Sequence, residues 1–180
     1  MDVIRWFEGR EKNCKLRFFQ FDIVNFYPSI TKDLLDRALN FLSRYIEISE
    51  SDRDVIYAAR KTLLYNRDIT WEKKNGTWDV TMGSWDGAEV CEAVGLYLLH
   101  KLQTLGLPIG LYRDDGIGLS RLTPRRNEQI KKKIVRIFKD EGLEITIAAN
   151  MDKIDALDVT LDLTTGNYSP YMKPGNTYYI

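Results

Sequence analysis

Residues 109–120 read IGLYRDDGIGLS, an apolar run, a pair of acids with a glycine, and a second apolar run. A glycine-bearing polar break between two β-type segments predicts a hairpin, with Ile109–Arg113 and Ile117–Ser120 paired around Asp114-Asp115-Gly116. Far upstream, Leu16–Ile23 (LRFFQFDI) is apolar and aromatic and reads as a buried strand with Asp22 at its end. The fold turns on how this strand and the hairpin are joined.

Between them, Thr31 reads as an N-cap, followed by Leu34, Leu35, Ala38, Phe41, Leu42 and Tyr45 at helical spacing. Ser51 and Asp54 resemble a capping box before a second helix over roughly residues 52–65. Ile69–Lys73 and Thr77–Thr81 flank Lys74-Asn75-Gly76, another hairpin signal. A third helix is expected over 87–103, with Asp86 as its cap and Glu89 three residues on. Beyond residue 120, Thr123-Pro124 opens a fourth helix with Ile130, Ile134, Ile137 and Phe138 as its buried stripe, and Gly142 stops it. Leu143–Ala148 reads as a strand, and Ala156–Leu163 with Tyr168–Lys173 as a C-terminal β-hairpin.

Setting aside the inserted helices and the first hairpin leaves strand, helix, hairpin, helix, strand. That is the split β-α-β ferredoxin-like pattern of an α+β domain. The crossover makes the first two core strands parallel, with room for another between them. If the third core strand lies there, it runs antiparallel to both, and the Asp114-Asp115 turn falls beside Asp22.

The 180 residues suit a single domain over 1–180 with a substantial core, 44% hydrophobic and 29% charged. No apolar run is long enough to span a bilayer, and MDVIRWFEGREKN lacks the apolar stretch of a secretory signal. Cys14 and Cys91 stand apart from other metal-type ligands, as expected of reduced thiols in an intracellular protein, cytoplasmic or nuclear, with no membrane partner. The sole histidine, His100, sits among Leu98, Leu99 and Leu102 and is expected at a core or boundary position; no zinc cluster or Ser-His-Asp triad can be built around it. Formal net charge is zero, against a bulk nucleic-acid binder, although PRRNEQIKKK (124–133) holds five basic residues and one acid, either a solvated helix face or a phosphate track.

Three converging carboxylates repel one another unless cations neutralise them. Oxygen-only donors suit Mg²⁺ or Mn²⁺, and two such ions can serve the attacking and leaving oxygens of an in-line phosphoryl displacement. Asp22, Asp114 and Asp115 are therefore the expected metal ligands of a nucleotidyl-transfer centre using two ions.

Phe21-Asp22-Ile23-Val24-Asn25-Phe26-Tyr27-Pro28-Ser29-Ile30 resembles the first palm motif of reverse transcriptases, and Tyr112-Arg113-Asp114-Asp115 resembles their Tyr-x-Asp-Asp motif. Met82-Gly83-Ser84 opens a long helix where that family has its template-and-nucleotide motif. Leu157-Asp158-Val159 followed by Tyr171-Met172-Lys173-Pro174 is similar to the late palm segment of Penelope-like retroelement enzymes. The resemblance implies a polymerase palm and RNA-directed DNA synthesis onto a primer 3′-hydroxyl. Its partners would be an RNA or DNA template with primer, deoxynucleoside triphosphates, and fingers and thumb segments or another chain. It also implies that Ile23 adds a carbonyl to the metal ligands, and that Tyr27, beside Phe26, gates the sugar 2′ position. Met82 and Gly83 would contact nucleotide and template base, and Lys153 would act as a general acid near the triphosphate. Tyr27 as a core aromatic and Lys153 as a solvated lysine are the plainer alternatives.

The sequence departs from the family pattern at Met82, where glutamine is usual, and at Trp85-Asp86-Gly87-Ala88, where Pro-Leu-Ser-Pro is usual. The first palm strand begins about 16 residues in and residue 180 falls just after the expected primer-grip region, so residues 1–180 are expected to be a palm fragment without its fingers and thumb. The rival readings are a sheet that stacks single-stranded RNA on Phe18, Phe19 and Phe21, a palm kept as an inactive scaffold, and cyclic-nucleotide synthesis.

Overall fold

The computed structural model describes residues 3–9, 15–61, 63–72 and 76–171. In chain order these form α1 (Val3–Glu8), β1 (Arg17–Ile23), α2 (Phe26–Ser29), α3 (Lys32–Leu42), α4 (Glu50–Ala58), β2 (Leu64–Asn66), β3 (Ile69–Trp71), α5 (Gly87–Gln103), β4 (Ile109–Tyr112), β5 (Asp115–Ser120), α6 (Pro124–Asp140), β6 (Ile145–Met151), β7 (Lys153–Ala156), β8 (Val159–Asp162) and β9 (Tyr168–Pro170). Among the described residues, no helix is long and apolar enough to cross a membrane.

The central sheet has the order β4-β5-β1-β6, with every neighbouring pair antiparallel. β5 therefore lies between β1 and β4, as the ferredoxin-like reading requires. Side chains alternate along β1. Phe19, Phe21 and Ile23 point into a core roofed by Leu34, Leu35 and Ala38 of α3, Val94 and Leu98 of α5, and Ile134 and Phe138 of α6. Phe18, on the other face, joins a second core with Val3 and Phe7 of α1, Ile117 and Leu119 of β5, and Ile154 and Leu161 of β7 and β8. Each fully buried phenylalanine contributes roughly 1.5–3 kcal/mol. Asp22 shares the face of Phe18 but lies beyond the residues that make up this second core, where the sheet surface is exposed.

Several boundaries differ from the sequence reading. α3 is capped as expected, with the Thr31 side chain accepting from the Leu34 N–H at 3.2 Å, but it ends at Leu42 and leaves Tyr45 69% exposed. The capping box is Ser49 with Asp52, and the second helix is Glu50–Ala58 instead of 52–65. The hairpin after it is β2–β3, turning on Arg67 and Asp68, which both hold positive φ (48° and 62°). That is the backbone a two-residue turn needs to match strand twist, here without asparagine or glycine. Lys73–Asn75, at the turn expected from sequence, lie outside the described residues, and Trp78 beyond them makes only a single bridge to Lys61. The span 156–163 is not one strand. Leu157 and Asp158, at φ 50° and 62°, fold it into the β7–β8 hairpin, and β9 completes a three-stranded sheet.

Candidate active site

Asp22 stands directly across from Asp115 in the β1–β5 register. The turn reaches the same strand end, because the Ile23 N–H donates to the Asp114 carbonyl at 3.0 Å. The turn residues are Arg113 and Asp114, so Asp115 is the first residue of β5 and not part of the turn predicted at 114–116. Arg113 holds φ 54°, a left-handed conformation costing on the order of 1 kcal/mol for a side-chain-bearing residue. Beneath the turn, Gly116 faces Phe21, and a Cβ there would fall inside the ring. The missing side chain is what lets β5 lie flat against the phenylalanine.

Like charges directly opposed on a strand pair are destabilising. The Asp22 carboxyl is held above its usual range, first by partial desolvation and then by the charge of Asp114. The donor set is all oxygen and suits a hard divalent cation. The side chains do not already form a cage: among the described residues, no three His, Cys, Asp or Glu form a group that could hold a metal ion. The backbone brings the three aspartates together, and the carboxylates as oriented stop short of a closed site.

Asn25 makes the corner after β1. Its left-handed φ and ψ of 49° and 47°, which asparagine tolerates well, swing the chain into α2. This buries Phe26 and Tyr27, rings 6.4 Å apart at 72°. A side-chain hydrogen bond links Tyr27 with Cys91 of α5, and the phenol feels the charges of Arg113 and Asp114, so Tyr27 adjoins the aspartate turn. Burial pushes the Cys91 thiol up to about 12, so it stays protonated. Ile23 is buried in the core beneath the helices.

Met82, 75% exposed, and Gly83, at φ 87°, lie on the loop entering α5. Asp86 precedes α5 without a side-chain capping bond, contrary to expectation; its carboxylate pairs with the fully buried Arg60. Lys153 is exposed at the start of β7, in the three-stranded sheet, and no ion pair among the described residues joins it to Asp22 or Asp114. His100 is exposed on the outer side of α5, stacked on Phe41 with centroids 4.7 Å apart, where a core or boundary position was expected. Sequence reasoning missed Cys91 and Arg60. The helical stripe Val90, Cys91, Val94 and Leu98 signals that Cys91 is buried, but nothing local pairs it with Tyr27. For Arg60 the sequence holds no signal.

No known protein family matches the chain by sequence, and no curated protein does. Solved structures do share its fold. It is similar to apo telomerase from Candida tropicalis truncated from its C-terminal domain, at TM-score 0.56 and 11% identity over 87% of this chain and 35% of that one. It is similar to an insertion-loop deletion mutant of the RNA-dependent RNA polymerase of a human picobirnavirus, at 0.62 and 15% over 89% and 32%. The RNA-dependent RNA polymerase of BmCPV at the elongation state gives 0.59 and 13% over 93% and 17%. The fold is that of a polymerase palm, and the chain spans between 17% and 35% of the length of these neighbours.

Proposed function

We propose that this chain is the palm of a template-directed DNA polymerase of the reverse-transcriptase kind, nearest to Penelope-like retroelement enzymes. The observation that carries the reading is the register that sets Asp22 against Asp115 beside the Asp114 turn, on a palm-type sheet. The motif run from Phe21 to Ile30, Tyr112 to Asp115, and Leu157 to Val159 favours DNA synthesis over the RNA synthesis named for two of the fold neighbours.

Asp22, Asp114 and Asp115, with the Ile23 carbonyl, would hold two Mg²⁺ or Mn²⁺ ions. When bound, these supply charge neutralisation for the triphosphate and a lowered pKa at the primer 3′-hydroxyl. The chain's own residues do the rest. Tyr27, braced by Cys91 and Phe26, limits room at the sugar 2′ carbon and so discriminates by clash. Met82 and Gly83 offer an open surface to the nucleotide and template base. Lys153 would protonate the leaving pyrophosphate as a general acid. Fingers and thumb segments, or another chain, would complete the grip on template and primer.

Mn²⁺ titration by calorimetry, on the wild type and on Asp114→Asn, tests the centre. Binding in the wild type and its loss in the variant is the expected result. Equal isotherms would overturn the reading in favour of a palm kept as a nucleic-acid-binding scaffold, which the open arrangement of the three carboxylates favours.

A further inference from the structure

We propose that the groove between α3 and α5, on the sheet face opposite Asp22, binds a nucleotide unit, its phosphate in a cationic cleft and its base in an adjoining aromatic one. The inference does not depend on polymerase activity. The cationic cleft, of about 440 Å³, is lined by Arg37, Asn40, Arg44, His100, Lys101 and Thr104.

Its charge does not cancel. The buried Glu141 carboxylate accepts from Arg37 Nε at 2.9 Å, from the Tyr97 hydroxyl at 3.2 Å, and from the Lys101 ammonium. One anion thus serves two cations, and Arg44 at the rim adds a third. On α3 the Asp36 carboxylate is engaged by Arg53, Tyr57 and Asn40. Because Arg37 meets Glu141 through Nε, the Nη1–Nη2 edge of its rigid fork is left for another acceptor, the geometry that suits a phosphate.

The second cleft, of about 330 Å³, shares Phe41 and His100 with the first and is otherwise lined by Leu42, Tyr45, Leu96, Leu99 and the polar Gln103. Tyr45 and Leu96 are 69% and 52% exposed, a large apolar surface to leave in water. Phe41 sits at the partition, edge-on to Tyr45 with centroids 5.4 Å apart and stacked with His100. A positive dent beside aromatic faces is the combination that holds single nucleotides and single strands. The phosphate half alone would take any phosphate; the aromatic half requires a planar ring attached to it.

The test is titration with deoxyadenosine monophosphate in EDTA, which silences the candidate metal centre, followed by inorganic phosphate and then a short oligodeoxyadenylate. Arg44 and Tyr45 are both exposed, so Arg44→Glu and Tyr45→Ala should melt like the wild type. The expected result is low-millimolar or tighter mononucleotide binding that weakens about tenfold in Arg44→Glu, as for one lost charge-assisted contact. Tyr45→Ala should weaken the mononucleotide while leaving inorganic phosphate unchanged. Tighter binding of the oligonucleotide assigns the groove to a nucleic-acid strand, and equal binding assigns it to free nucleotide. No mononucleotide binding by the wild type, or equal binding by Arg44→Glu, would overturn the proposal.

Discussion

At the residue scale, the candidate site depends on what is absent as much as on what is charged. Gly116 has no side chain because the Phe21 ring fills that space. Gly116→Ala must displace a core aromatic that also packs on Phe138 at 5.5 Å, and it should lower stability by about 1–3 kcal/mol in chemical denaturation. Phe21→Leu in the same chain should recover part of that loss. Tyr27 is buried at a corner whose left-handed residue is asparagine, the packing expected of a core aromatic as well as of a gate. In a primer-extension assay with fingers and thumb supplied, Tyr27→Ala should raise ribonucleotide use relative to deoxyribonucleotide by at least about tenfold. An unchanged ratio would leave Tyr27 as core alone.

At the scale of elements, Glu141 ties three helices. It sits just after α6, with its side chain 4% exposed, and holds Arg37 of α3 and Lys101 of α5. Burial by itself pushes its carboxyl up, but the hydrogen bonds and charges of Lys101 and Arg37 outweigh burial and hold it below its usual value. Arg37 and Lys101 keep 43% and 36% of their side chains in water, so they rehydrate in Glu141→Gln, whose cost should be about 2 kcal/mol, below the ~3–5 kcal/mol of a fully buried pair. The sign in pH follows from the depressed value. The contribution is complete above the unfolded carboxylate pKa of about 4.3 and is lost as pH falls through the folded value. The gap in denaturation midpoint between wild type and Glu141→Gln should therefore be full near neutrality and close below about pH 4. Helix ends were legible where a cap and a proline coincide, as at Thr123-Pro124. They were misread at Ser51, because two serines two residues apart offer the same box and only packing selects Ser49.

At the scale of the molecule, metal should act as a fold ligand. If the three aspartates close on Mn²⁺, an excess of about a hundredfold over Kd stabilises the native state by about 2.7 kcal/mol. For a chain of 180 residues that is a rise of roughly 5–10 °C in Tm, reversed by EDTA and absent in Asp22→Asn. The sequence by itself determined the order of core elements, their alternation and periodicity, and the placement of acids at a strand end and a hairpin turn, because these are local patterns read along one chain. It also carried the motif resemblance that names a chemistry. Only the tertiary structure decided that Asp115 faces Asp22, since register is a property of two strands and their turn. It decided that Cys91 sits under Tyr27, that Arg60 is buried against Asp86, and that Glu141 gathers two cations beside an open cleft. Those contacts join positions distant in sequence, and burial and charge coupling come into being only when packing brings them within reach.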